Sequence, residues 1–549
     1  MCKQMGIAPP IAASLKTPHW SPRSCTVKQK QTTKSESRRW RPVDSLLAAV
    51  ALSLLLIGLW HLFAVQRGLD IRSTAVDGIP VTVYRSIAGG PAPVVVIAHG
   101  FAGSRQMMQP FAITLARNGY IAVTFDFPGH GRNAIPLQGK LGTPARTDSL
   151  LDALSAVVDY ARTLPNGDGR LAALGHSMAG DIIARYIQAH PGSIDVTVAV
   201  SPYLSQPVGA DEPRNLLFIY GEFEPDMILT QGRAAIAQVA GEPADAVAED
   251  QTYGDLADGN ARRMVVADGV EHIGVLYAKE SLAAALDWLD QAFGRQDSGM
   301  LDVRGPWLGL FFAGVLLLGR PLSRLLPRVA DRPIGAGLGW RRLLPIAIAP
   351  AVLTPLILAP LPSDFLSIVI ADYLLLHFAV YGLLTLIALH IVDRNGVRPP
   401  VRVSSRALVV ALIAVFGYET LAIAVPTQTL VASYIPAWDR VGLTLALFAG
   451  TLTWFAADEW LVRGPGARTG AYALTKLMFL ISLGLAIALN LQELFFLVII
   501  VPAILILFTV YGLFSGWVYR ATNYPLVAAA TNAIALAAAI AVSFPVVAR

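Results

Sequence analysis

The chain has 549 residues, 54% of them apolar and 15% charged, with a mean hydropathy of +0.53, whereas soluble proteins carry about 25% charged residues. This balance excludes disorder, a collagen-like repeat and a disulfide scaffold, and places most of the chain in a membrane class. The formal charge of +5 hides an asymmetry: residues 68–300 hold 16 Lys and Arg against 26 Asp and Glu, and the remainder holds 27 against 12.

The basic residues lie beside apolar runs, which argues for membrane topology and against nucleic acid as a partner. In chain order, residues 1–43 form a tail with nine Lys and Arg and one acid, Glu36. Cys2 and Cys25 both lie there, so no disulfide or thiolate site is expected further on. Residues 44–67 follow as a transmembrane anchor, whose apolar run at 45–66 is long enough for a hydrocarbon core of about 30 Å. It exceeds a signal-peptide core and lacks a small-x-small exit, so an uncleaved anchor is expected, with the tail cytoplasmic and the chain beyond residue 67 outside.

Residues 68–300 read as a globular α/β domain. Runs such as PVTVYR, PVVVIA, YIAVTF, RLAALG, DVTVAV, NLLFIY and RMVVA alternate with segments of helical spacing. Strand runs without polar alternation predict a mostly parallel sheet covered by helices on both faces. Gly89-Gly90 reads as a turn between two strands.

Residues 301–549 read as an all-α membrane bundle of about eight helices, near 305–319, 343–362, 365–391, 407–425, 440–457, 471–489, 494–516 and 524–547. The loops assigned inside are 320–342 with six Arg, 392–406 with four, 458–470 with two and 517–523 with one. Those assigned outside carry none, although Arg440 sits at the edge of one. This alternation supports nine spans with the anchor. The span at 305–319 is the shortest.

The chemistry sits at strand ends. RLAALG runs into Gly175-His176-Ser177-Met178-Ala179-Gly180, followed by a helical run. VVVIA ends in His99-Gly100-Phe101-Ala102-Gly103-Ser104, and YIAVTF is followed by Asp126-Phe127-Pro128-Gly129-His130-Gly131. After NLLFIY comes Gly221-Glu222-Phe223-Glu224, and Gly269-Val270-Glu271-His272 precedes a last helix.

Together these runs resemble the α/β-hydrolase superfamily of serine esterases and lipases over about residues 78–295, with Ala179 where the nucleophile elbow GxSxG has its second glycine. The resemblance implies Ser177 as nucleophile, His272 as general base and Glu224 as the orienting acid, with Glu222 and Asp226 close enough to compete for that role. It also implies an oxyanion hole from the amides of Phe101 and Met178. Only about 15 residues separate DVTVAV from NLLFIY, so no large helical cap is expected. Nothing in the resemblance extends to the bundle.

No metal or nucleotide motif is present, so neither a metal nor a cofactor is expected. His99, His130 and His176 read as locally packed or hydrogen-bonded. Asp372, His377 and Glu419 lie within apolar runs, where ionisable residues point to function by default. Asp372 and His377 are, however, five apart and about 140° around a helix, so interhelical hydrogen bonds explain them adequately.

The expected activity is membrane-anchored hydrolysis of an ester, thioester or amide through an acyl-serine, acting on a small-molecule or lipid-like acyl substrate on the periplasmic or extracellular side. The alternatives are a transporter or scaffold with a silent hydrolase-like domain, and an acyltransferase using the same serine.

Overall fold

The structure, a computed structural model, describes residues 41–140, 142–296, 299–362, 364–393 and 400–548. The expected basic tail up to residue 40, with both cysteines, lies outside them. Helix α1 (Pro42–Ala64) leads into an eight-stranded sheet of order β1-β2-β4-β3-β5-β6-β7-β8. Strands β1 (Leu69–Val76) and β2 (Ile79–Ser86) form an antiparallel hairpin. Its two-residue turn, Asp77-Gly78, has φ of 49° and 82°, the left-handed pair that hairpin twist requires.

Strand β2 lies antiparallel to β4 (Ile121–Phe125). From β4 onward, β3 (Ala92–Ala98), β5 (Gly167–His176), β6 (Val196–Val200), β7 (Leu216–Gly221) and β8 (Arg262–Ala267) run parallel. Every residue of β3 is buried because helices cover both faces of the sheet. Val95 and Ile97 face α2 (Gln109–Arg117) and α6 (Lys279–Phe293), in a core that includes Phe111, Leu282 and Trp288. Val94, Val96 and Ala98 point the other way, to α3 (Pro144–Arg162) and α4 (Met178–Ala189), with Leu150, Leu154, Val157 and Ile183. The two-residue period of the strand thus supplies both halves of the core. Helix α5 (Asp226–Ala240) closes the sheet beside β7 and β8.

This is the α/β-hydrolase fold, and residues 201–215 between β6 and β7 contain no helix, so no cap is inserted there. All strand ends that carry the motifs face one side.

Among the described residues, nine helical segments are long and apolar enough to cross a membrane: α1, α7 (Gly305–Ser323), Trp340–Leu358, Ala371–Val392, Ser405–Leu430, Trp438–Val462, Ala471–Leu489, Ala503–Thr522 and Leu526–Ser543. The short span expected at 305–319 therefore extends to Ser323. The span expected to begin at 365 begins at Ala371, and the last ends at Ser543 instead of 547. Residues 545–548 leave the helix and pair with the globular domain: the amide of Leu137 donates to Val546, that of Val546 to Gly129 and that of Ala548 to Leu137, each at 2.9 Å.

Helix α1 does not stand apart as an isolated anchor. It runs antiparallel along α7, where a side chain on Gly58 would stand 2.9 Å from Phe311 Cβ and one on Gly314 2.8 Å from the Ala51 carbonyl. Small residues thus let the two backbones meet, as in membrane helix pairs. His61 stacks on Trp307 at 3.6 Å, and Arg324 pairs with the buried Asp44 at the other end. The two helices that bracket the globular domain consequently deliver both its ends to the same side.

Candidate active site

Ser177 lies between β5 and α4 with φ 54° and ψ −118°, a strained conformation for a residue with a side chain. The turn is held by the neighbouring strand, since the Ser177 amide donates to the Val200 carbonyl at 2.8 Å. Close approaches fall at Gly175, where a side chain would stand 2.7 Å from Ile183 Cδ1, and at Gly100 and Gly180. A side chain on Gly100 would stand 2.9 Å from Ser177 Cβ, and one on Gly180 2.6 Å from Pro202 Cβ. Ala179, where the elbow pattern has glycine, is fully buried among the apolar residues under α4. The steric demand has moved one residue on, to Gly180.

Ser177 Oγ lies 2.9 Å from His272 Nε2, to which it can donate, and His272 Nδ1 lies 3.3 Å from Glu224 Oε2. The Glu224 side chain is shut off from solvent while that of His272 remains 22% exposed. Glu224 Oε1 accepts from Ser201 Oγ and, at 3.2 Å, from the Gly221 amide. With the carboxylate so held, a proton on His272 Nδ1 points at it and leaves Nε2 as the acceptor facing the serine.

The two rival acids are placed elsewhere. Glu222 Oε2 accepts from the Gly269 amide at 2.7 Å, bracing the loop that leads to His272, and Asp226 is exposed at the start of α5.

The other histidines serve locally. His176 donates through Nε2 to the His272 carbonyl at 2.9 Å, so it holds the backbone that presents the His272 ring, and burial pushes its pKa down to about 3. His99 donates through Nδ1 to the Gly100 carbonyl at 2.7 Å and accepts from the Phe127 amide at 3.1 Å through Nε2. His130 donates through Nδ1 to the Pro128 carbonyl at 2.9 Å. Desolvation pushes the pKa of His99 down and that of His130 well down, so both are neutral. Asp126 is fully buried, pairs with the Arg105 guanidinium and accepts the amides of Arg105 at 2.7 Å and Arg132 at 3.1 Å. It ties the loop at 99–105 to the turn at 126–132.

Phe101 follows the loop glycine that touches Ser177, and Met178 opens α4, where first-turn amides have no partner inside the helix. Ser201 was not among the expected residues. It sits at φ 46° just past β6, and its position at a strand end was the one available signal.

Among the described residues, no group of three or more His, Cys, Asp and Glu side chains is placed to hold a metal ion. In the bundle, Asp372 accepts the Leu366 amide, whereas His377 lies 3.1 Å from Ser482 Oγ. Glu419 begins a π-helical turn (Glu419–Ala424) inside its span.

The bundle also reaches the candidate site. The Ser433 amide donates to Ser104 Oγ at 3.0 Å, Gln109 Nε2 donates to the Thr429 carbonyl at 3.0 Å, and the buried Arg440 donates to the Gly129 carbonyl. The loop between two apolar helices, together with the helix ends that flank it, therefore abuts the two motif turns beside Ser177.

The family model for serine aminopeptidase, S33, matches residues 89–254, which include Ser177 and Glu224 but stop short of His272. A search of curated proteins found no match. Among solved structures, a CIB-like hydrolase from Thermoplasma acidophilum is similar at 16% identity over 41% of this chain and 98% of its own, with a TM-score of 0.32. An esterase from Pyrobaculum calidifontis is similar at 17% identity over 47% of this chain and 95% of its own, with a TM-score of 0.31. Residues 89–254 are thus similar to the serine aminopeptidase S33 family, and the domain that contains them belongs by fold to the α/β-hydrolases.

Proposed function

We propose that this chain is a membrane-anchored serine hydrolase that cleaves an ester, thioester or amide through an acyl-serine intermediate. The observation that carries the reading is the hydrogen-bonded series from Ser177 through His272 to Glu224 at a strained strand-to-helix turn. His272 takes the Ser177 proton as Oγ attacks the acyl carbon, and Glu224 stabilises the imidazolium so formed. The amides of Phe101 and Met178 stabilise the oxyanion. His272 returns the proton to the leaving group, and water then releases the acyl-enzyme by the same steps. The serine aminopeptidase match keeps an amide among the candidate substrates.

The hydrolase domain lies on the periplasmic or extracellular side of an inner or plasma membrane. The Arg-rich loops support this side for the domain, as does the antiparallel packing of α1 on α7.

A lipid-like substrate is supported by an apolar cavity of about 300 Å³ among the apolar helices, with Phe416, Ile423, Tyr434, Tyr511 and Ala535 in its wall. Its Tyr434 belongs to the loop that abuts Ser104. In this reading the bundle does the work of the missing cap, as a lid or as the surface that presents substrate.

The test is fluorophosphonate labelling of membranes that contain the full chain. Labelling is expected in the wild type and is expected to vanish in Ser177→Ala and His272→Ala, with hydrolysis falling on the order of 10⁴-fold or more. Absent labelling of well-folded wild type would sink the enzyme reading and turn attention to Asp372, Glu419 and the bundle.

A further inference from the structure

A buried guanidinium needs a counter-charge or a full set of hydrogen-bond acceptors, because burial strips away its water. Arg146, in the first turn of α3, is 6% exposed, and its Nε, Nη1 and Nη2 have no hydrogen-bond partner among the described residues. Its guanidinium lies over the ring of Phe101, with Cζ 6.0 Å from the centroid. Burial alone, with no carboxylate acting against it, pushes its pKa down to about 10. Among the described residues of the globular domain no other buried guanidinium is left so uncompensated: Arg262, still more deeply buried, donates to the carbonyls of Ala210 and Ala261.

Arg146 also lines a cavity of about 1000 Å³ between the globular domain and the bundle, large enough for a small-molecule ligand. The globular wall carries Lys140 and Arg146. The opposite wall sets Leu358, Leu361 and Leu489, at or just past the ends of two apolar helices, beside Asp364, Asp372 and Glu493. The acids around the cavity are already engaged. Asp364 faces Lys140 at 3.8 Å, Asp372 accepts the Leu366 amide, and Glu493 accepts from Asn490 Nδ2 at 2.9 Å. One wall therefore holds an unanswered guanidinium just beneath its surface, and the other is a mixed surface of leucines and acids, the acids hydrogen-bonded or facing Lys140.

We propose that this cavity binds an anionic amphiphile, a lipid whose phosphate or carboxylate group pairs with Arg146 and whose apolar part lies against the bundle helices. The binding site stands on the cavity and the unpaired guanidinium. That the bound lipid is the substrate rests on the hydrolase reading, because Arg146 packs on Phe101, which follows Gly100 in the loop beside Ser177. The anion would then be a recognition group, held apart from the acyl carbon that Ser177 attacks.

The test uses the purified full chain in a neutral detergent, with fluorescent phosphatidylglycerol and phosphatidylcholine as probes and inorganic phosphate as competitor. Phosphatidylglycerol is expected to bind at least tenfold more tightly than phosphatidylcholine, and Arg146→Gln is expected to erase that difference. Equal binding of the two lipids by the wild type, or an unchanged preference in Arg146→Gln, would overturn the proposal. Displacement of phosphatidylglycerol by millimolar phosphate would overturn its amphiphilic half, by making a free oxyanion the ligand.

Arg146→Met supplies a readout that does not need lipid. Removing an uncompensated buried charge is expected to raise the melting temperature of the lipid-free chain, whereas a fall would mean that the guanidinium is already satisfied. Leu358→Trp, which fills the cavity from the bundle side, is expected to weaken phosphatidylglycerol binding at least tenfold with Arg146 intact. Binding is measured apart from turnover, so a chain that binds anionic lipid but resists fluorophosphonate would defeat the hydrolase reading and leave this site standing.

Discussion

Glu224 and Glu222 are two residues apart, yet they hold different partners, and substitution separates their roles. Glu224→Gln keeps the size of the side chain and removes the charge opposite His272 Nδ1, so kcat is expected to fall about 10³–10⁴-fold with little change in KM. Glu222→Gln leaves Ser177, His272 and Glu224 in place and is expected to cost less than about tenfold, since it disturbs one loop hydrogen bond. Equal losses in both variants, measured on a short ester, would refute the assignment.

Three buried histidines of the globular domain make a second residue-scale prediction, about pH. His99, His130 and His176 are neutral in the fold, with the pKa of His176 pushed to about 3, but in the unfolded chain each takes a proton near pH 6.5. The unfolded state therefore binds more protons below that value. Stability is full above about pH 6.5 and declines as the pH falls toward 3, at up to about 1.4 kcal/mol per pH unit for each imidazole. The melting temperature of the hydrolase domain should drop between pH 7 and 5, and His176→Gln should flatten that drop. A pH-independent melt would contradict the neutral assignments.

At this scale the grouping of Ser177, Glu224 and His272 was legible because each follows a readable strand. Ser201 was not, since its contact with Glu224 joins the ends of two strands through space.

At the scale of elements, the parallel strands were legible because burial on both faces leaves unbroken apolar runs such as Ala92–Ala98. The edge strand Leu69–Val76 was missed, because its mostly exposed residues carry no such run, although Asp77-Gly78 was a hairpin signal in plain sight. The last helix was overrun for the converse reason. Residues 544–548 are apolar, but they serve the globular domain by pairing with Gly129 and Leu137 instead of lengthening the span.

Arg440 locks that junction. It is 1% exposed and donates to the carbonyls of Ala541 at 2.6 Å, Phe544 at 3.1 Å and Gly129. A cation at the end of the last helix also meets the negative end of its dipole. Arg440→Met takes this donor from the Ala541 and Phe544 carbonyls, at about 1–3 kcal/mol each. The variant is expected to melt several degrees lower and to become protease-sensitive near residues 129–140. Unchanged melting and proteolysis would show that the tail is held without it.

At the scale of the whole molecule, the nine candidate spans among the described residues were legible from hydropathy and the placement of Arg, since both follow from the cost of polar groups in hydrocarbon. The joining of bundle to hydrolase was not, because it rests on a handful of loop contacts over 300 residues apart in sequence. Those contacts give the bundle a route to the chemistry. Gln428 accepts the amides of Tyr434 and Ile435, both at 2.9 Å, so the loop is stiff between Ser433, which bonds Ser104, and Tyr434, which lines the apolar cavity. If that cavity receives the chain of a lipid-like substrate, filling it should penalise long acyl groups and spare short ones. Ala535→Trp adds bulk at the cavity wall, so the ratio of kcat/KM for a dodecanoyl ester to that for an acetyl ester is expected to fall about tenfold, the loss of about two buried methylenes. A ratio that stays put in a folded, fluorophosphonate-reactive variant would detach the cavity from the substrate. The bundle would then act on Ser177 only by bracing the loop at 99–105, and Gln428→Leu would lower hydrolysis of both esters alike.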